Sequence, residues 1–230
     1  MSEQVCSLAI PLLSVNVGPA RPMLYKGKEA RSGIGKLPVD GSAELGLVGI
    51  DGDEQADLVN HGGEDKAVCV YSHDHYAHWE SVLGRTLGFG AFGENFTTNG
   101  LLEPETHIGD VFRVGTAVVQ VSQPRQPCWK LSMKWGLDEL PALVTQTGAT
   151  GFYFRVLQAG SVKAGDTLTL VSSYSAAITV AEANRVMHTD KNDIEGIQRL
   201  LGVDALSDSW VKQLRSRLER LESSSPGLLL

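Results

Sequence analysis

The amino-acid sequence predicts a mainly β domain, a barrel or a sandwich with a few short helices, over residues 1–175, followed by a small three-helix domain over residues 178–222. Three observations carry that expectation. Short β-like runs recur through the first 175 residues, and Gly- and Pro-rich turns separate them. Few segments of that stretch show a helical period. After about residue 177 the texture changes, with capping patterns and apolar residues at helical spacing. Many short strands with few helices point to a barrel or sandwich.

The elements follow in order. Ala67–Tyr71 is a short apolar run of the kind a buried strand shows. Ser72 is a suitable cap for a helix over His73–Leu83, in which Tyr76, Trp79 and Leu83 share a face. Val111–Val114 and Ala117–Ser122 read as strands, and the Gly between them suits a hairpin. In the second, Ala117, Val119 and Val121 alternate with Val118, Gln120 and Ser122, the period of a half-buried strand. Asp138–Thr147 reads as another helix, and Gly151–Leu157 and Thr167–Ser172 as further strands. Thr179-Val-Ala-Glu182 is a capping box opening a helix through Met187. Asn192-Asp-Ile-Glu195 opens a second, with Ile194, Ile197 and Leu201 on one stripe and a stop at Gly202. Ser207 or Asp208 caps a third, whose Val211, Leu214, Leu218 and Leu221 follow helical spacing. That stripe suits docking, a homodimer contact or simply core. Residues 223–230 are a low-complexity, flexible tail.

Composition narrows the function classes. With 230 residues the chain can bury a true core, and 42% hydrophobic against 20% charged residues is a soluble, globular balance. A net charge of −7 argues against wholesale attraction to nucleic acid or anionic lipid. Residues 178–230 hold seven Lys and Arg against eight Asp and Glu, so no basic face dominates the helices. No run reaches the length of a membrane span, and Leu8–Leu13 follows Glu3 rather than a basic region, unlike a signal peptide. Three cysteines, Cys6, Cys69 and Cys128, fit a reducing compartment and exclude an iron–sulfur cluster of the chain's own. The expectation is a cytoplasmic protein that contacts neither membrane nor nucleic acid.

Four segments mix glycines, prolines and reactive side chains. The first, Asp51-Gly-Asp-Glu-Gln55, runs into His61-Gly-Gly-Glu-Asp-Lys66. A calcium loop fails here, because Ala56 and Gly62 stand where Gly and Glu are required. Gly62 and Gly63 can instead free backbone N–H groups to bind an anion, with His61 and Lys66 adding positive charge, or they form a tight turn. In the second, Gly90-Ala-Phe-Gly-Glu-Asn95, Glu94 and Asn95 can bond the edge of a heterocycle, or Asn95 turns the chain in a left-handed conformation. The third, Gln123-Pro-Arg-Gln-Pro-Cys128, presents its cysteine on a proline-stiffened backbone, with Arg125 favouring the thiolate. The alternative is a buried inert thiol, the reading given to Cys6 and Cys69. The fourth, Lys26-Gly-Lys28 with Ser32-Gly-Ile-Gly-Lys36, supplies cations and glycines suited to phosphate, although solvated lysines explain it equally well. His75 and His78 lie one helical turn apart, but polar decoration of a helix explains them better than zinc.

Taken together these segments resemble the MOSC domain family, in its YiiM-like branch. The likeness rests on Gly46–Ala56, His61–Lys66, Phe92-Gly-Glu-Asn95, Ile108–Phe112 and Val119–Cys128, with Ser32–Val39, Gly160–Asp166 and the helical tail around Ser209-Trp210. It covers nearly the whole chain in one order. The resemblance implies a β-barrel and a molybdenum cofactor (molybdopterin) with Cys128 as metal ligand and catalytic centre; it calls for no pyridoxal phosphate. It places Ser32, Lys36, His61, Gly62, Gly63, Lys66, Glu94, Asn95 and Arg125 around that cofactor. It implies reduction of N-hydroxylated small molecules such as 6-hydroxylaminopurine, a detoxification, with electrons from an external flavin or iron–sulfur reductase. The alternatives are a non-catalytic cofactor carrier or sulfur-transfer accessory, and a cysteine hydrolase pairing Cys128 with His61.

Overall fold

The computed structural model describes residues 9–174 and 178–224; Cys6 and residues 225–230 of the expected tail lie outside them. Thirteen strands run in chain order: β1 (Ala9–Val17), β2 (Arg21–Tyr25), β3 (Lys28–Ser32), β4 (Leu37–Pro38), β5 (Ser42–Gly46), β6 (Gly49–Ile50), β7 (Val68–Ser72), β8 (Phe96–Thr98), β9 (Val111–Val114), β10 (Ala117–Pro124), β11 (Phe152–Gln158), β12 (Gly160–Lys163) and β13 (Thr167–Ser172). The helices are α1 (Leu58–His61), α2 (Tyr76–Leu83), α3 (Trp129–Trp135), α4 (Leu140–Thr147), α5 (Val180–Asn184), α6 (Ile194–Leu201) and α7 (Asp208–Ser224).

Seven strands close into a barrel in the order β13-β9-β10-β11-β7-β8-β1, and β1 returns to pair with β13. Every pairing in it is antiparallel except β7 with β8. Closure satisfies strand edges that a sandwich would leave open. Along β10, Ala117, Val119 and Val121 are buried while Val118 and Gln120 are half-buried, so the period read from the sequence is the inside–outside alternation of the barrel wall. The β9–β10 hairpin turns over Gly115, whose φ of 54° lies in the left-handed region. The β5-β6-β12 sheet and the β2–β3 hairpin pack as additions to this frame.

The long strand β1, the β2–β3 hairpin and helix α3 have no counterpart in the sequence reading. Ser72 does cap, but what it opens is a 3-10 turn, His73–His75, and α2 begins only at Tyr76. Thr179 caps α5 as expected, its Oγ1 accepting from Glu182 N at 3.1 Å, whereas α6 is capped one residue past Asn192, by Asp193 Oδ1 accepting from Gly196 N at 2.8 Å. α5 then loosens into a π-helical turn at Arg185–Thr189. On α6 the buried stripe is Ile197 and Leu200, while Ile194 is 37% exposed and Leu201 only half-buried, one position away from the expected stripe. The α7 helix runs to Ser224, two residues into the segment expected as tail.

Two apolar clusters hold the molecule. The larger joins barrel residues such as Leu12, Phe112, Val119 and Phe154 to Val180, Ile197, Leu200, Trp210 and Leu214 of the helices. Each fully buried residue of this size contributes about 1.5–3 kcal/mol. The smaller gathers Tyr71, Trp79, Phe92, Leu131, Leu140 and Val144, packing α2, α3 and α4 behind the Gly90–Asn95 loop. Among the described residues no helix is long and apolar enough to cross a membrane.

Candidate functional site

β10 ends at Pro124, and the four residues after it carry the chain from the barrel wall into α3. Cys128 occupies the N-cap of that helix in an extended conformation, φ −132° and ψ 169°, with its thiol half-buried. It lies where two compartments of one cleft meet. The inner compartment spans about 590 Å³ and the outer about 1530 Å³, solvent-open space at their mouths included. Both are bordered by His61, Lys66, Gln126, Cys128 and Tyr153.

The electrostatics of the inner compartment centre on Arg125. Its backbone N donates to Gly151 O at 3.0 Å, and its Nη2 donates to the Phe92 carbonyl at 2.6 Å. Nη1 is buried and has no hydrogen-bond partner, and among the described residues no carboxylate forms an ion pair with this guanidinium. The titratable groups acting on it include the Cys69 and Cys128 thiols and the Tyr153 and Tyr71 phenols. Burial pushes the Cys69 thiol up to about 11 and raises the Tyr153 phenol above its usual range, so neither supplies a counter-charge. A buried guanidinium with one unpartnered nitrogen and no paired carboxylate among the described residues gives this compartment a chemistry suited to an anion.

Seven of the residues singled out in the sequence line the inner compartment: Ser32, Lys36, His61, Lys66, Asn95, Arg125 and Cys128. Their roles differ from the simple cationic picture. Lys36 is ion-paired with buried Asp53, which also accepts from Gly18 N and Asn95 Nδ2, each at 3.0 Å. Its charge is therefore matched within the wall. The other face of Asn95 accepts from Cys69 N at 3.1 Å, and the residue does not adopt the left-handed turn conformation. Ser32 Oγ accepts from Ile34 N at 3.2 Å and shapes the Ser32–Lys36 segment.

His61 does not add positive charge at neutral pH. Burial, and then Lys130, hold its imidazole down at about 4. Lys66 is likewise pushed down, chiefly by burial.

Three expected site residues lie off the cleft. Glu94 is fully buried and its carboxylate is consumed internally. It accepts from Gly90 N, Phe92 N and Thr97 Oγ1, each at 2.9 Å, and from the Tyr76 hydroxyl. Those bonds shape the loop that presents Phe92 and Asn95, so its acidity serves the loop and not a ligand. Gly62 and Gly63 make a close turn instead of an anion nest. A Cβ on Gly62 would meet Leu58 Cα at 3.0 Å, and Gly63, at φ 94°, starts the 3-10 turn Glu64–Lys66. Lys26 pairs at 2.9 Å with Asp138 at an exposed hairpin tip and lines neither compartment. His75 bonds Glu103 at 2.8 Å, and no group of three potential metal ligands of the His, Cys, Asp and Glu type exists among the described residues.

Sequence reasoning missed several residues that matter here. Lys130 and Tyr153 line the inner compartment, and Trp129, Trp210, Lys212 and Gln213 line the outer. Lys130 was detectable as a cation two positions from Cys128. The others were not, because only barrel closure turns Tyr153 toward the cleft and only the docking of α7 brings its polar face there.

Fold and site together define a closed β-barrel with a helical cap, presenting a cysteine in a cleft whose buried cation is unmatched. The chain matches the MOSC domain over residues 57–169 and the YiiM-like 3-alpha helix domain over residues 178–221. It is 49% identical to YflK of Bacillus subtilis (strain 168) over 210 residues, covering 91% of this chain and 95% of that one. It is 39% identical to YiiM of Escherichia coli (strain K12), covering 81% and 84%. The crystal structure of YiiM from Geobacillus stearothermophilus matches with a TM-score of 0.78 and 38% identity, over 91% of this chain and 99% of that one. A larger Gibberella moniliformis protein named as a reductase shares 33% identity over 66% of this chain and 28% of its own length. The chain belongs to the MOSC domain family, in its YiiM-like form.

Proposed function

We propose that the protein is a molybdenum-cofactor-dependent oxidoreductase that reduces N-hydroxylated compounds such as 6-hydroxylaminopurine, and that it works in the cytoplasm. The observation that carries this reading is the unmatched Arg125 guanidinium beside the Cys128 thiol in one cleft. The donor set fits the group: an anionic pterin needs buried cations and N–H donors, and a soft, redox-active metal takes a thiolate. Arg125, Lys66 and Lys130 would hold the anion, and Cys128 would be the protein's ligand to the metal. The Gly33–Ile34 and Phe92–Gly93 segments would wall the pterin.

When bound, the cofactor supplies two-electron oxygen-atom chemistry that no side chain of this chain provides. The overall reaction takes two electrons and two protons, cleaves the N–O bond and releases the amine and water. His61, neutral at pH 7, can offer a hydrogen bond at the cleft without adding charge. The chain's cysteine count leaves no room for an iron–sulfur cluster, so the electrons come from a separate flavin or iron–sulfur reductase. The relationship to a named reductase supports the class.

The test is donor-driven reduction of 6-hydroxylaminopurine by cofactor-loaded protein, wild type beside Cys128→Ala. Turnover that disappears in the variant, at equal pterin loading, is the expected result. Wild-type rates in Cys128→Ala would overturn the ligand assignment. Cofactor binding without reduction, across several donors and N-hydroxylated substrates, would make the protein a carrier.

A further inference from the structure

The α7 helix has two faces. Trp210 and Leu214 are buried in the large core, and Leu218 and Leu221 pack against it. A second stripe at helical spacing, Lys212, Gln213, Ser216 and Arg220, lines the outer compartment, the one that Cys128 borders from the barrel side. All four residues are exposed, so this face meets solvent as well as the compartment that Cys128 borders.

The chemistry of the compartment is one-sided. Lys66, Lys212 and Arg220 line it against a single carboxylate, Asp57. Trp210, which is among the residues lining it, has a buried indole N–H with no acceptor. Cations and an unused donor call for an acceptor-rich anion. Trp129, 43% exposed, borders the same compartment; one face of its indole stacks on Tyr25 with ring centroids 5.3 Å apart, which leaves the other face for a base. Gln126 Nε2 donates to Gln213 Oε1 at 3.3 Å, an exposed bond between the loop carrying Cys128 and the helix.

We propose that the α7 wall is a phosphate subsite, and that the preferred substrate is an N-hydroxylated base carried as its nucleotide and not the free base. Resting on the reductase reading above, this names its substrate class. The base reaches toward Cys128 and the phosphate lies against Lys212 and Arg220.

Two measurements on cofactor-loaded protein test it. Calorimetric titration compares adenosine 5′-monophosphate with adenine, the amine products of the expected substrates, and needs no turnover. The nucleotide should bind at least about tenfold more tightly, the worth of one good charge-assisted contact. That preference should fall toward unity in Lys212→Glu and, in case that variant folds poorly, in Lys212→Gln. Kinetics should show the same ratio in kcat/KM for N-hydroxylated nucleotide over free base. Equal binding of the two ligands, or a preference that survives both variants, overturns the subsite. Nucleotide binding seen only in cofactor-free protein also overturns it, since the site would then take a nucleotide part of the cofactor. A Lys212-dependent preference in binding without reduction of any substrate would leave the subsite standing and remove the reductase reading.

Discussion

Arg125 and Glu94 both bond the Gly90–Asn95 loop and are both buried, yet they do opposite things. Glu94 is saturated by four donors, so its charge is spent on shaping Gly90–Asn95. Arg125 gives one bond to the same loop, at Phe92 O, and keeps Nη1 in reserve. An unsatisfied buried charge is a cost that folding alone would not retain, and its persistence marks the ligand side of the loop. His61 adds a titration that can be followed. Its folded value near 4 lies below the ordinary 6.5, so between the two the unfolded chain binds more protons and stability rises with pH. The contribution is complete above pH 6.5 and is lost as the pH falls toward 4. His61→Gln should flatten the pH dependence of the urea midpoint across that window; an unchanged slope would assign it to other groups.

Elements differ in how far their own residues specify them. The β9–β10 hairpin is specified locally: alternation on one strand and a Gly that must take φ 54° leave little choice of register. A Cβ at Gly115 would also collide with the Ser161 carbonyl of β12. Gly115→Ala should therefore destabilise by roughly 2–4 kcal/mol, left-handed strain plus overpacking, and lower the calorimetric melting temperature accordingly. A shift under a degree would mean that the turn relaxes freely. The cap of α5 was legible for the same reason, since Thr179 acts on an N–H group three residues away; the start of α6 was legible to within one residue, with Asp193 capping where the pattern opened at Asn192. In contrast, β1 reads Ala-Ile-Pro-Leu-Leu-Ser-Val-Asn-Val with a proline near its start, and its partners β8 and β13 come more than 75 residues later. Its identity as a barrel strand rests on those partners. α3, only seven residues long after two prolines, is held by Leu131 in the second core and by Trp135 Nε1 bonding Ala91 O at 2.9 Å. Tertiary packing makes that helix, and propensity alone does not.

For the whole molecule, the main question is whether the helical segment is an independent unit, as the change of texture near residue 177 suggests. One apolar cluster runs from Leu12 and Phe154 in the barrel to Leu200 and Leu214 in the helices. Gln123 Oε1 accepts from Ser207 Oγ at 2.7 Å and from Ser209 Oγ at 3.1 Å, and Asp65 accepts from Asp208 N at 3.1 Å, so α7 is also fastened by polar bonds. Barrel and helices should therefore unfold in one calorimetric transition, with equal calorimetric and van't Hoff enthalpies. Two resolved transitions would show that the cluster does not couple them. Local physics carried much of the fold into the sequence, because alternation, capping and turn glycines act between residues close along the chain. The sequence by itself thus determined a β-rich body, a helical end with named caps, and Cys128 on a proline-stiffened loop. Tertiary structure alone decided which charges remain unmatched: Asp53 comes from 17 residues away to neutralise Lys36, burial makes His61 neutral, and among the described residues no carboxylate pairs with Arg125. It also decided that α7 forms a wall of the cleft. Net charge in a site depends on neighbours brought from distant positions and on the water excluded around them, and neither is written in the spacing of a motif.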